Sequence, residues 1–326
     1  MKRCTACDQI VGQQITICPA CGNPLIAGIT HIDDYRIQAI LYEGPSSLVC
    51  KAIKEDTVKS VSIRLFTDPE QVDDMVAQRL SHEIQALRNL PAKYFVQHFT
   101  MKKSSTGHWY RISEWVDAKS WSSIFVSGEL SDQRRVVQLF YQIAKALEAL
   151  NSHDHFMPYL ILEDILIPKH QTIETSVKIN YKLSRFLDAR ATHNPPMLKH
   201  LMAHHPDIIN QRAIDFKTGI WSLGKVFLEI LTADDSLTRF SSRVDEIKGL
   251  HPDLAVLLKV MLSEDPGLRP HNMSLVADTL LEILNKMPQK LLRPFSDRSR
   301  PRIAQELTWF KRLSLYLLAQ IGRAHV

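Results

Sequence analysis

Hydrophobic and polar positions change period part-way along the chain. "YRIQAILYEGPSSLVCKAI", from Tyr35, alternates on either side of a Gly-Pro-Ser-Ser turn and predicts a β-hairpin. "KSVSIRLF" (Lys59 to Phe66) predicts a third strand, with Arg64 near its end. Asp68 followed by Pro69 reads as an N-cap and first turn of a helix. Along that helix Val76, Leu80, Glu83 and Leu87 fall on one stripe. A carboxylate on a core-facing stripe needs a cation, and Arg64 is the candidate. Strands are expected at Tyr94–Met101 and His108–Trp115.

The period then becomes helical. "SDQRRVVQLFYQIAKALEALNSH" has Ser131 as cap and apolar residues at Val136, Leu139, Phe140, Ile143, Leu147 and Leu150. Ile165–Ile167 and "YKLSRF" read as paired short strands around a polar loop. "GIWSLGKVFLEILTA" is apolar enough for a central helix, and "HPDLAVLLKVMLSEDPGLRP" and "MSLVADTLLEIL" complete a helical half. Strands early and helices late give an α+β fold with two lobes.

Composition adds little until its distribution is considered. With 45% hydrophobic and 23% charged residues, the chain of 326 residues has the make-up of a soluble globular protein. From Lys286 onward there are nine Lys or Arg against two Asp or Glu, a net of +7, so the rest of the +5 chain is near −2. The basicity belongs to a tail, which weakens a nucleic-acid reading of the whole. No apolar run follows a basic start, so a secretory signal is not expected, and the reading is cytoplasmic.

Four of the five cysteines crowd into the first 21 residues as "CTACDQIVGQQITICPAC". Two Cys-x-x-Cys pairs at Cys4, Cys7, Cys18 and Cys21 suit one tetrahedral Zn2+. Four thiolates make a closed, structural site. The segment resembles bacterial zinc ribbons. With few basic or aromatic residues it reads as a small adaptor.

Several segments resemble a eukaryotic-type Ser/Thr protein kinase domain of the bacterial kind. "GIWSLGKVFLEILTA" resembles the family's D-[IV]-[WY]-S-L-G-x-x-L-x-E-L-L-T-G, and "MLSEDPGLRP" resembles L-x-x-D-P-x-x-R-P. "HHPD" resembles the end of the activation segment, with Asp207 as the acid that the family pairs with the late arginine, here Arg269. The resemblance implies a bilobal protein-kinase-like fold with a β-rich first lobe and a helical second lobe. The organisation is a zinc ribbon at 1–24, a linker at 25–34, the kinase-like domain at 35–285, and a basic linker with an apolar segment at 286–320.

The chemical positions depart from the family. "YKLSRFLDAR" resembles V-K-L-S-D-F-G-L-A-R, which puts Arg185 where an aspartate would hold Mg2+ and Leu187 at the glycine, with Phe186 kept. Two like charges about 4 Å apart repel by roughly 4 kcal/mol at the dielectric near a protein surface. A second register puts Tyr181, Lys182 and Leu183 at those three positions and also lacks the aspartate. Asp188 serves as ligand only in a rearranged loop. In "MPYLILED", Tyr159 replaces the catalytic aspartate and Asp164 the asparagine. Gly219 replaces the aspartate that opens the central helix. "YEGPSSLV" keeps Gly44, with Tyr42 and Ser47 at the outer glycines.

The resemblance makes Gly44, Arg64, Glu83, Glu114 and Val116 a vestigial nucleotide site. Arg64 and Glu83 keep the family's strand-to-helix ion pair, and Leu87, Met157 and Phe186 keep apolar packing positions between the lobes. This predicts a catalytically silent pseudokinase that binds a protein partner, with ATP and Mg2+ not expected to bind well. The competing readings are an active Ser/Thr kinase using Glu163 and Asp164, and a nucleic-acid-binding adaptor acting through the ribbon and tail. "LSLYLLAQ" (Leu313 to Gln320) is the start of a membrane helix or a terminal amphipathic helix; its eight residues fall short of the roughly 20 that span a bilayer. "IGRAHV" (residues 321–326) back-translates to a sequencing-adapter sequence, so the natural reading frame is expected to continue.

Overall fold

The computed structural model describes residues 2–3, 10–11, 20, 30–43, 47–67, 72–119, 121–127, 130, 132–169, 177–181, 205–232 and 240–288. They fall into two units, one from residues within 1–69 and 101–115, the other from 70–100 and from 116 onward.

The first unit is a sheet. β1 (Lys2–Arg3) and β2 (Ile10–Val11) form a small antiparallel pair of their own, on either side of the segment that carries Cys4 and Cys7. The main sheet has the order β3-β4-β5-β6-β8-β7, from β3 (His31–Ile32), β4 (Tyr35–Glu43), β5 (Ser47–Lys54), β6 (Ser60–Phe66), β7 (His98–Lys103) and β8 (Trp109–Glu114). The β4–β5 hairpin and the third strand are where the alternation predicts them. One face of β5, β6 and β8 is apolar: Leu48, Cys50, Val61, Ile63, Leu65, Tyr110 and Ile112 are all buried. The opposite face carries Lys51, Arg64 and Arg111, with Arg64 in register with Val49 on one side and Arg111 on the other. Asp33 ties the sheet's start to the β7–β8 turn. It accepts from the Ser105 N–H at 3.0 Å and the Tyr110 hydroxyl at 2.8 Å, and these bonds hold its carboxyl below the usual carboxylate value.

The second unit is helical: α1 (Asp74–Leu87), α2 (Trp121–Ser127), α3 (Gln133–Asn151), α4 (Pro206–Ile209), α5 (Phe216–Thr232), α6 (Phe240–Glu246), α7 (Pro252–Met261) and α8 (Met273–Lys286). Its core runs along α3 and α5, where Phe140 and Phe227 stack with centroids 3.8 Å apart. All six predicted apolar positions of α3 are buried. Leu87 and Met157 join the same core.

Five local expectations are corrected. The described helix α1 begins at Asp74, and its N-cap is Asp73, which accepts from Val76 N–H at 2.7 Å; Asp68 and Pro69 lie outside the described residues. Its buried stripe is Ala77, Leu80, Ile84 and Leu87, so Val76 and Glu83 sit at the edge, half-buried. Asp132, not Ser131, caps α3, accepting from Arg134 N–H at 2.9 Å. Tyr94 to Gln97 is not part of β7. Tyr94 and Phe95 N–H groups turn back to the Pro91 carbonyl, and this stretch bridges to Ile179 instead.

The fifth correction matters most for the site. β9 (Ile165–Leu166) pairs antiparallel with β10 (Lys178–Ile179), not with the strand expected from Tyr181 onward. "VKIN" and "YKLS" are near-repeats in the sequence, so alternation alone fits either. The ladder is closed by Val96 N–H to Ile179 O at 3.0 Å and Ile179 N–H to Tyr94 O at 2.7 Å. Among the described residues no helix is long and apolar enough to cross a membrane.

Candidate functional site

The loop Met157–Asp164 follows α3 and ends in a 3-10 turn, Leu162–Asp164, that leads into β9. The Trp121 indole N–H donates to the Leu162 carbonyl at 2.7 Å and fixes this turn. Asp164 is fully buried, and its backbone carbonyl accepts from Asn180 N–H at 2.8 Å. The loop and β10 are thereby stitched together beside the strand pair.

Tyr159 is 8% exposed, and its ring meets His205 edge-on with centroids 5.9 Å apart. Burial pushes its phenol pKa up, and the negative charge of Asp207 adds to the shift. Tyr181 lies two residues past β10. It is buried against Phe95, and its hydroxyl donates to the Phe156 carbonyl at 3.0 Å. Its own carbonyl accepts from His98 Nε2 at 3.0 Å. Burial raises its pKa too, with the charge of Glu83 acting in the same direction. Both phenols are therefore neutral near pH 7. A neutral phenol offers neither the charge to hold Mg2+ nor a ready base for a hydroxyl proton.

Asp207 and Arg269 are brought together as the resemblance implies. The guanidinium donates two bonds to the carboxylate, each 2.7 Å, with both side chains buried. Thr218 Oγ1 donates a third bond to Asp207 at 3.0 Å, and Arg269 Nε donates to Ser263 O at 2.9 Å. Burial works against ionising Asp207, but the Arg269 bonds and charge outweigh it and hold the carboxyl below its usual value. Next to it His205 is 1% exposed. Its Nδ1 accepts from Asp207 N–H and its Nε2 donates to Thr218 O, both at 3.2 Å, so the ring is the neutral Nε2–H tautomer. Burial lowers its pKa to about 4.

Gly219 sits in the first turns of α5, against the loop. A Cβ there would lie 2.8 Å from the Met157 carbonyl oxygen. The neighbouring Ser222 hydroxyl donates to the Pro158 carbonyl. Sequence reasoning missed His205, Ser222 and Trp221. Their signals were present: a histidine just before Pro206-Asp207, and two residues two and three positions past Gly219 on the same helix.

The remaining candidates divide between the two units or lie outside the described residues. Arg64 and Glu114 belong to the sheet unit, Glu114 in register with Val61. Glu83 and Val116, both half-buried, belong to the helical unit. Cys4, Cys7, Cys18, Cys21, Gly44, Arg185, Phe186, Leu187, Asp188 and everything past Pro288 lie outside the described residues. Among the described residues no group of His, Cys, Asp and Glu forms a metal cluster.

Residues 35–290 match the protein kinase domain family, and the chain belongs to that family. It is similar to the serine/threonine-protein kinase flr-4 of Caenorhabditis elegans, at 23% identity over 300 residues covering 82% of this chain and 49% of that protein. The chain thus spans about half the length of this curated relative. The fold is similar to crystal structures of the Mycobacterium tuberculosis PknI kinase domain. One has a TM-score of 0.57 at 11% identity, covering 77% of this chain and 97% of that one. Another has a TM-score of 0.56 at 14% identity, covering 79% and 98%. At such identity the likeness speaks for the fold alone.

Proposed function

We propose that this protein kinase domain is a pseudokinase, a scaffold that binds a protein partner and does not transfer phosphate. The observation that carries the reading is the pair of buried, neutral phenols at Tyr159 and Tyr181. The β9–β10 ladder supports the register that aligns Val177-Lys178-Ile179-Asn180-Tyr181 with the family's V-K-L-S-D. In that register Tyr181, rather than Arg185, stands at the magnesium position. Kinase catalysis is mostly positioning and electrostatic stabilisation of phosphoryl charge, and both carboxylates that would supply it are missing.

The test is incubation with radiolabelled ATP and Mg2+, using generic protein substrates and the chain itself. No incorporation is expected. Incorporation that Glu163→Ala with Asp164→Ala abolishes would establish an unorthodox active kinase instead. ATP is expected to give little thermal stabilisation, with no gain from Mg2+. The Cys4, Cys7, Cys18 and Cys21 set further suggests a structural zinc ribbon ahead of the domain. Elemental analysis is expected to give one zinc per chain, lost in Cys7→Ser while the kinase-like domain stays folded.

A further inference from the structure

The outer face of α8 mixes apolar and acidic groups. Leu275, Asp278, Glu282 and Lys286 follow one another at helical spacing and form one stripe. All four are exposed, Leu275 at 46%. Lys286 Nζ donates to Asp253 at 2.7 Å and ties the end of α8 to the start of α7. One turn in from that bond, on the same side of α7, Val256 is 63% exposed. Asp278 and Glu282 form no ion pair among the described residues. Like charges four residues apart weaken a helix, so this pair favours a cation from outside it.

The chain itself supplies cations next to this face. Residues 289–320 hold seven Lys or Arg against two Asp or Glu. Within them Ile303, Leu307, Phe310, Leu313 and Leu317 recur every three or four positions, the apolar stripe of an amphipathic helix. Lys311 falls on the flank of that stripe. In helical form residues 303–317 measure about 22 Å, against about 21 Å for the 14 residues of α8. The connection 288–302 reaches up to about 50 Å when extended, enough to turn back along α8. Its starting point is fixed, because Arg134 Nη1 donates to the Met287 carbonyl at 2.9 Å.

We infer that residues 303–317 of this chain dock as an amphipathic helix on the outer face of α7 and α8. Their apolar stripe covers Val256 and Leu275, and Lys311 meets the acids Asp278 and Glu282. Charge, length and the point where the chain leaves α8 all favour this occupant over a separate partner. The docking makes no use of the loop or of a nucleotide, so it does not rest on the pseudokinase reading.

Limited proteolysis and cross-linking of the full chain test it. Chymotrypsin is expected to cut after Phe310 about tenfold more slowly than after Phe295, which lies in the connection. Asp278→Lys with Glu282→Lys is expected to bring the two rates together. Adding Lys311→Glu and Arg312→Glu is expected to restore the difference. All four side chains are charged, and the two on α8 are exposed, so an unchanged melting temperature shows that the domain stays folded. Carbodiimide is expected to join Lys311 to Asp278 or Glu282 within one chain, read by mass spectrometry of the monomer. Equal cutting in the wild type, or no effect of the charge reversal, would overturn the docking. So would failure of the charge swap to restore protection, or cross-links found only between two chains. Protection of Phe310 only when phosphatidylserine-containing vesicles are present would assign the segment to a membrane instead.

Discussion

Two junctions on the first turns of α5 use opposite chemistry. At one, Asp207 and Arg269 bury full charges and satisfy them with a bidentate pair, the Thr218 hydroxyl and backbone carbonyls. At the other, the loop Met157–Tyr159 is held by a glycine contact, one hydroxyl and an aromatic column. Both are places where the kinase pattern has charged residues. Charge remains where its partner is another part of the protein. At 159 and 219, where the resemblance implies carboxylates, this chain has a phenol and a glycine. A buried charge without a partner is costly, which is why the Asp207 carboxylate depends on Arg269.

The comparison breaks most directly at the ion pair. Arg269→Ala leaves the Asp207 carboxylate buried without its guanidinium and is expected to cost about 3–5 kcal/mol in urea unfolding. A loss below about 1 kcal/mol would mean that the charge there is as dispensable as in the loop.

Acid is expected to act next. His205 has a folded pKa of about 4 against an ordinary value near 6.5, so the unfolded chain binds more protons between those values. Stability is therefore full above about pH 6.5 and falls as pH drops toward 4, by about 3 kcal/mol. Asp207, with its lowered pKa, adds a loss at still lower pH, below the usual carboxylate value. Unfolding measured at pH 7 and pH 4.5 checks the sign, and His205→Gln should flatten the slope.

The smallest effect is expected at Tyr159. If ring packing holds the loop, Tyr159→Phe should change stability by about 1 kcal/mol or less. A loss as large as that of Arg269→Ala would place a polar interaction at the centre of the loop as well.

The helical half was legible in the sequence because its signals are long and redundant. Six apolar positions on α3 and a near-continuous apolar α5 admit one reading. The Asp207–Arg269 pair was legible because both residues sit in specific motifs. What failed was local choice between equivalent residues. Asp68 and Asp73 both suit an N-cap, as do Ser131 and Asp132, and only tertiary packing selects one. Glu83 and Ile84 are adjacent, so a stripe drawn through either has helical spacing. The β10 register was ambiguous because its two candidate strands are nearly the same sequence; long-range bonds to Tyr94 and Val96 decide it. Ser222 acts through the Pro158 carbonyl, and the His205 ring meets Tyr159, contacts with residues more than 40 positions away that no periodicity reveals.

The 2.8 Å approach of Gly219 to Met157 also bears on descent. Proteins sit only a few kcal/mol above unfolding. Any side chain at 219 meets the Met157 carbonyl, so this position cannot drift from glycine unless the loop moves first. The close contact thus acts as a lock: it fixes residue 219 for as long as the loop keeps its place.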